Sequence, residues 1–490
     1  MGEAEDAACT APASAASGYR RRERERTLLH ATVRAHLKTF LAEMEQGSDG
    51  AGLPGFVISE FDRYLACGIL ANGFARVRCS SCGDEILVAF SCKGRGFCPS
   101  CTTRRMQGTA TNLLERVLPR VPMRQWVLSL PRWARFLLAR DPLLITRAID
   151  IALRAIFNLQ RRRARRDGAR APRTGAVTFV QRFGGALNLN VHFHCVIPDG
   201  VFVRDAEGTR FLALPGPSDD EVQEVLRRIA LRLRKLLRPR LDVAQADARA
   251  PDALVAAQAD SLSVLRANSS HAVRIKRQAA YLEGFSLHAG VHLHANDREG
   301  LAHLCGYGAR PPLAQNRLSH LPDGRIAYRL KRPLATGGEV LILEPCELLR
   351  RLAALVPPPR SHLVRYHGVF GPASAWRSQI IPRPEKSKPR PCPPAVTAPP
   401  PSEITARQHT SRIPWAELLL RVFREDVLTC PCGGRRVVLA FVTEKRVVKE
   451  ILEHLDLPTT GPPIAPARIA AAGDDTPWQD DVPELQQALR

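Results

Sequence analysis

The run LNLNVHFHCV, residues 187–196, constrains this chain more than any other segment. Apolar and polar residues alternate through it, the period of a half-buried strand. His192 and His194 therefore leave one face together, and Phe193 leaves the other. Asn188 and Asn190 share the histidine face. Imidazole nitrogen is a common ligand for divalent metals, so two of them on one rigid face make half of a metal site. The alternative is a pair of structural histidines with satisfied hydrogen bonds.

The chain has 490 residues, enough for two to four domains, and 45% of them are hydrophobic, enough for sizeable cores. Its formal net charge is +23, mostly from arginine. Guanidinium forks pair with phosphate oxygens, so a surplus of this size points to a polyanionic partner. No apolar run approaches the ~20 residues of a membrane span, so a membrane is not expected. The N-terminal stretch lacks the apolar region of a secretory leader. A cytoplasmic protein is expected, with its 13 cysteines reduced or metal-bound.

Organisation follows from local pattern. Residues 1–26 read as a disordered arm, and 27–46 as a helix opening a region that runs to 110. Residues 124–130 read as a strand, followed by helices at 132–140 and 142–160 that the run RRRARR ends. Residues 177–183 and 187–197 read as strands joined at Gly184-Gly185, with a further strand at 201–204. A helix is expected at 219–238, a strand at 284–295 and a helix from Asn296 to Arg310. A hairpin follows around Pro322-Asp323-Gly324, then a strand near 339–343 and a helix near 346–355. A proline-dense linker occupies 376–413. Residues 414–456 read as a separate helix–Cys–strand–helix unit, and 457–490 as a disordered tail.

Cys79-x2-Cys82 and Cys98-x2-Cys101 have the spacing of two zinc knuckles closing one four-thiolate structural site, with Cys92 able to replace one ligand. Arg76, Arg78, Lys93, Arg95, Arg104 and Arg105 surround them, which suits a nucleic-acid module. His288, His292 and His294 share a strand face by parity and compete with the first histidine pair. Among the six tyrosines, Tyr307 is set apart. It lies between Gly306 and Gly308, with His303 one helical turn earlier.

Five segments then occur in a telling order: CSSCGDEILVAFSCKGRGFCPSCTTRRM, RQWVLSLP, VQRFGGALNLNVHFHCVIPDGVF, LCGYGARPPLAQNRL and LVRYHGVF. Together they resemble the rolling-circle HUH transposases of the insertion-sequence-91 family and its common-region relatives, over residues 30–375. The resemblance implies an α+β fold: an antiparallel-sheet HUH endonuclease core over 120–375, preceded by a small zinc-ribbon domain within 27–110. It implies that His192 and His194 hold a catalytic Mg²⁺ or Mn²⁺, that Tyr307 is the nucleophile, and that Cys79, Cys82, Cys98 and Cys101 hold structural Zn²⁺. Gln181 and His303 are the candidates for a third catalytic-metal ligand.

Many relatives carry two tyrosines on the nucleophile helix. Here the earlier position is His303, which likens the chain to the single-tyrosine branch. Cys430-x-Cys432 is one residue shorter than the family's C-terminal pair, which argues against a second zinc site there.

The implied activity is nicking of single-stranded DNA at element ends through a 5′-phosphotyrosine, then strand transfer into target DNA. A phenol with pKa near ~10 needs a metal-held phosphate to act at neutral pH. The basic faces at 161–170 and 227–240 could track phosphates. The same residues leave open a rolling-circle replication initiator and a non-catalytic zinc-ribbon DNA-binding protein. A bacterial, nucleoid-associated location is expected, and a homo-oligomer is left open.

Overall fold

The computed structural model describes residues 19, 21–241, 252–263, 277–333, 337–382, 415–423 and 425–468. The chain folds as two compact units, each discontinuous in sequence. The smaller comprises residues 1–24, 66–91 and 414–462, and the larger 25–65, 92–413 and 463–490. Most of the expected disordered arm, linker and tail lies outside the described residues.

The larger unit is built on a six-stranded antiparallel sheet. Its strands are β3 (Met123–Ser129), β4 (Gly175–Phe183), β5 (Leu189–Pro198), β8 (Ala279–Leu282), β9 (Phe285–Leu293) and β13 (Val364–Gly368). They lie in the order β13-β4-β5-β3-β9-β8, so the histidine strand is central. Alternation assigns the two faces. Trp126, Leu128, Val180 and Phe193 point into a core closed by α4 (Arg132–Arg140), α5 (Pro142–Arg166) and α6 (Asp219–Leu237). Met123, Val177, Phe179 and Val196 point the opposite way, against α3 (Pro99–Arg116) and α8 (Arg298–Gly308).

Local chemistry explains several boundaries. Asp141 caps α5 by accepting from the amides of Leu143 and Leu144, with Pro142 in the first turn. The run RRRARR does not end this helix at residue 160, as expected, but forms its last turns. Arginine is a good helix former, and its cations suit the negative C-terminal end. The stop comes two residues later at Gly168, which has φ +81°. A full capping box between Ser218 and Glu221 starts α6. The cap of α8 is Asp297 rather than Asn296, its carboxylate accepting from the Gly300 amide.

Strand β9 departs from simple parity. Val127 pairs with His288, but Gln125 pairs with Val291, so β9 carries one extra residue at this point. A bulge of this kind reverses which face the following side chains occupy. His288 lies opposite Val127, whereas His292 lies opposite Arg124 and reaches Asp199 at 3.5 Å. His294 falls beyond the strand. The three histidines therefore do not share a face. Arg124 and Asp199 form a buried pair at the same end of the sheet, with N–O distances of 2.7–3.0 Å, and Arg124 also donates to the Ala289 carbonyl at 2.7 Å.

The smaller unit contains a three-stranded antiparallel sheet, β14-β1-β2, of β1 (Phe74–Cys79), β2 (Glu85–Ala89) and β14 (Arg436–Val442). Residues 414–456 are therefore not the separate unit that the sequence led us to expect. Their strand β14 completes the sheet begun by the N-terminal hairpin, with Phe74 opposite Val442 and Cys79 opposite Arg436. Helix α11 (Trp415–Phe423) contributes Ala416 and Trp415 to the core on Val77, and α12 (Lys445–His454) packs Val448 and Leu452 on Phe74. Tyr19, assigned to the disordered arm by composition, packs against the first of these clusters, and its burial pushes the phenol up to about 12.

Candidate active site and metal centres

The first site forms where β5 passes under the C-terminal end of α8. His192 and His194 leave β5 on one face, with ring centroids 4.9 Å apart. The Tyr307 ring stands edge-on to His194, at 5.6 Å and 77°. Tyr307 is 42% exposed, while its backbone carbonyl is held by the Gln181 amide. Gly308 makes this approach feasible, since a Cβ there would lie 2.6 Å from the Phe179 ring.

The polar partner of His192 leaves its outer nitrogen bare, and that of His194 can do so. His192 Nδ1 lies 2.7 Å from the Asn190 carbonyl, which accepts only a proton, so Nε2 keeps its lone pair. His194 Nδ1 lies 3.1 Å from Gln125 Nε2, an amide donor, so Nδ1 accepts and the ring proton sits on Nε2. Turning that amide over to present Oε1 moves the proton to Nδ1 and frees the Nε2 lone pair for a metal. His194 Nε2 is buried and has no hydrogen-bond partner. Burial pushes His192 down to about 4 and His194 to about 3, the latter helped by His192 and Arg310. Both rings are neutral at pH 7, the state in which imidazole binds metal.

Among the described residues no third His, Cys, Asp or Glu joins this pair in a ligand cluster. Gln181 does approach it. It lies opposite His192 in the β4–β5 register, and its amide nitrogen donates to the carbonyls of Tyr307 at 2.7 Å and Gly308 at 3.0 Å. Its other atom, Oε1, is buried without a partner. His303 behaves differently. Its side chain is 81% exposed, and its nearest charged partner is Glu299 at 3.9 Å, one turn back.

Cations gather round the tyrosine. The Arg310 guanidinium stacks 4.5 Å from the Tyr307 centroid and 5.0 Å from that of Phe183, and Lys331 Nζ lies 5.8 Å from Tyr307. Sequence reasoning missed Arg310, Lys331 and Gln125. Arg310 was within reach, three residues after Tyr307. Gln125 needed the β3–β5 register.

The cysteines sort differently from their spacing. Cys79 and Cys82 do not cluster with Cys98 and Cys101. In the smaller unit the thiols of Cys79, Cys82, Cys430 and Cys432 lie within 4.8 Å of one another. In the larger unit Cys98 and Cys101 cluster with Cys92, Cys92 Sγ standing 3.3 Å from Cys101 Sγ. The physical reason is strand pairing: β14 brings its own cysteine turn to the end of β1. Backbone amides of Cys82 and Ser81 pull the Cys79 thiol down to about 6. The Cys430-x-Cys432 pair, which its short spacing had argued against, is thus placed as two potential ligands.

Two family models match the chain. Residues 175–377 match the one described as "Putative transposase", and residues 33–130 match the "Transposase zinc-binding domain" of the insertion-sequence-91 group. The chain belongs to the insertion-sequence-91 transposase family. No curated protein and no solved structure matches it. The first model spans β4 to the short helix α10 (Arg377–Ile380), and so contains the histidines, Gln181 and Tyr307. The second contains Cys79, Cys82, Cys98 and Cys101 but stops well before Cys430.

As a transposase the protein binds DNA and cuts and joins its strands, and it carries structural zinc. Among the described residues no helix is long and apolar enough to cross a membrane.

Proposed function

We propose that the transposase is a metal-dependent HUH endonuclease that nicks single-stranded DNA with Tyr307 and transfers the strand in rolling-circle transposition. The observation that carries this reading is the meeting of Tyr307 with His194 at 5.6 Å, with two buried polar atoms, His194 Nε2 and Gln181 Oε1, left without partners. Buried polar atoms are rarely left unpaired, so this pair fits a cation. His192 Nε2, His194 Nε2 and Gln181 Oε1 would hold it, and three neutral donors leave positions for phosphate oxygens. A bound Mg²⁺ or Mn²⁺ neutralises the scissile phosphate and orients it for in-line attack. His303, turned to Glu299, is not in this ligand set.

The chain's own residues supply the remainder. Tyr307 Oη attacks phosphorus and gives up its proton to solvent. The bond from phosphorus to the 3′-oxygen breaks, and that oxygen takes a proton. The products are a 5′-phosphotyrosine and a free 3′-OH. A later 3′-OH reverses the reaction at a new junction, so no nucleotide cofactor is needed. Arg310 and Lys331 offer charge to the phosphate oxygens beside the ring. With one tyrosine at the site, a second transesterification uses either the freed 3′-OH or a second copy of the chain. Such a reaction belongs in the cytoplasm, at the bacterial nucleoid.

The test is a labelled single-stranded oligonucleotide carrying an element end, incubated with Mn²⁺ and resolved on a denaturing gel. A covalent adduct that disappears in Tyr307→Phe is expected. An undiminished adduct in that variant would refute the assignment.

A further inference from the structure

We propose that the zinc ion of the N-terminal ribbon is held by ligands from both ends of the chain: Cys79 and Cys82 from the N-terminal hairpin, and Cys430 and Cys432 from the C-terminal segment. The pairs Cys79–Cys432 and Cys82–Cys430 each stand 3.6 Å apart, and all four sulfurs lie within 4.8 Å. A zinc tetrathiolate with Zn–S of ~2.3 Å has S–S edges of about 3.8 Å. The spacing therefore fits a shared tetrahedral ion.

The backbone repeats one design at both turns. In the first, the Cys79 amide donates to the Asp84 carbonyl at 2.8 Å and the Ser81 amide points at Cys79 Sγ, 3.4 Å away. In the second, the Cys430 amide donates to the Gly434 carbonyl at 2.9 Å and the Gly434 amide points at Cys432 Sγ, also 3.4 Å. Amide donors aimed at sulfur favour thiolate, the form that binds metal. Each turn contains a glycine with positive φ, Gly83 at +77° and Gly433 at +83°. A Cβ on Gly434 would lie 2.5 Å from Ser81 Oγ and 2.9 Å from Cys79 Sγ, so only glycine lets the turns close on each other.

The neighbouring contacts lock the turns together. The Ser80 amide donates to the Arg435 carbonyl at 3.0 Å, and the buried Arg436 pairs with Asp84 at 2.6 Å. The shortened Cys-x-Cys spacing is accommodated because β14 begins four residues after Cys432, at Arg436 opposite Cys79. Cys98 and Cys101, with Cys92, then serve a different centre.

Zinc content of the purified full chain tests this. Cys430→Ser with Cys432→Ser is expected to lose one zinc per chain, as is Cys79→Ser with Cys82→Ser. All four substitutions together should still lose only one. Cys98→Ser with Cys101→Ser should leave that ion in place. Full zinc retention in the Cys430/Cys432 variant would overturn the proposal.

A second measurement needs no variant and so survives any failure to fold. Cys82 and Cys432 are both exposed. In the zinc-loaded native protein both should resist alkylation, and a chelator should release both at the same concentration. Alkylation of Cys432 while Cys82 stays protected would equally overturn it.

Discussion

Gln181 donates its side-chain amide to the backbone carbonyls of Tyr307 and Gly308, at 2.7 and 3.0 Å. One side chain from β4 thus fixes the end of the helix that carries Tyr307, while its own oxygen is buried without a partner. Gln181→Glu keeps an oxygen for the metal but loses the donor. We expect Mn²⁺ affinity, measured by titration calorimetry, to be kept or raised while adduct formation falls about 10- to 100-fold. Gln181→Leu should lose both. Equal loss of metal affinity in the two variants would show that the side-chain oxygen is not a ligand, and undiminished adduct in Gln181→Glu that the amide nitrogen does not position the helix.

Gly308→Ala places a methyl group against Phe179, whose ring lies 2.6 Å from where that carbon would sit. Overpacking should destabilise the unit by about 1–3 kcal/mol and slow adduct formation by lifting Tyr307. Phe179→Leu should restore part of both. Independent, additive effects of the two substitutions in urea denaturation would contradict the contact.

The buried histidines give stability a pH dependence. Their folded pKa values of about 4 and 3 lie below the unfolded value of about 6.5. Between these limits the unfolded chain binds more protons, so their contribution is fully present above about pH 6.5 and is lost as pH falls toward 4. Without added Mg²⁺ or Mn²⁺, the melting temperature should drop across this window. His194→Gln should flatten the slope, and an unchanged slope would count against a neutral buried His194.

Arg124 and Asp199 are both buried and doubly hydrogen-bonded. Asp199→Asn leaves a guanidinium without its counter-charge and should cost about 3–5 kcal/mol by urea denaturation. Arg227→Ala breaks an exposed pair with Glu224 and should leave the urea midpoint almost unchanged. Similar losses in both would show that burial does not govern these pairs.

Much of the candidate site's geometry was legible locally. Alternation placed His192 and His194 on one face, and the glycines beside Tyr307 marked a close approach. Gln181 was nameable because a short hairpin fixes the register of its strand against His192. What local pattern could not supply was non-local. One extra residue in β9 moved His292 across the sheet. The apparent Cys79-x2-Cys82…Cys98-x2-Cys101 motif was divided by a strand pairing that no nearby residue announces. The shared sequence spacing was real, but the partners lay elsewhere.

Because β14 is the third strand of the sheet that β1 and β2 begin, that sheet can be finished only late in synthesis. A ribosome makes the hairpin early and its outer partner some 350 residues later, so β1 waits with an unpaired edge while the rest of the protein emerges. Edges of that kind recruit other strands. Copies truncated upstream of Arg436 should therefore be prone to aggregation as well as inactive, and a damaged element would be silenced by the solubility of its own product.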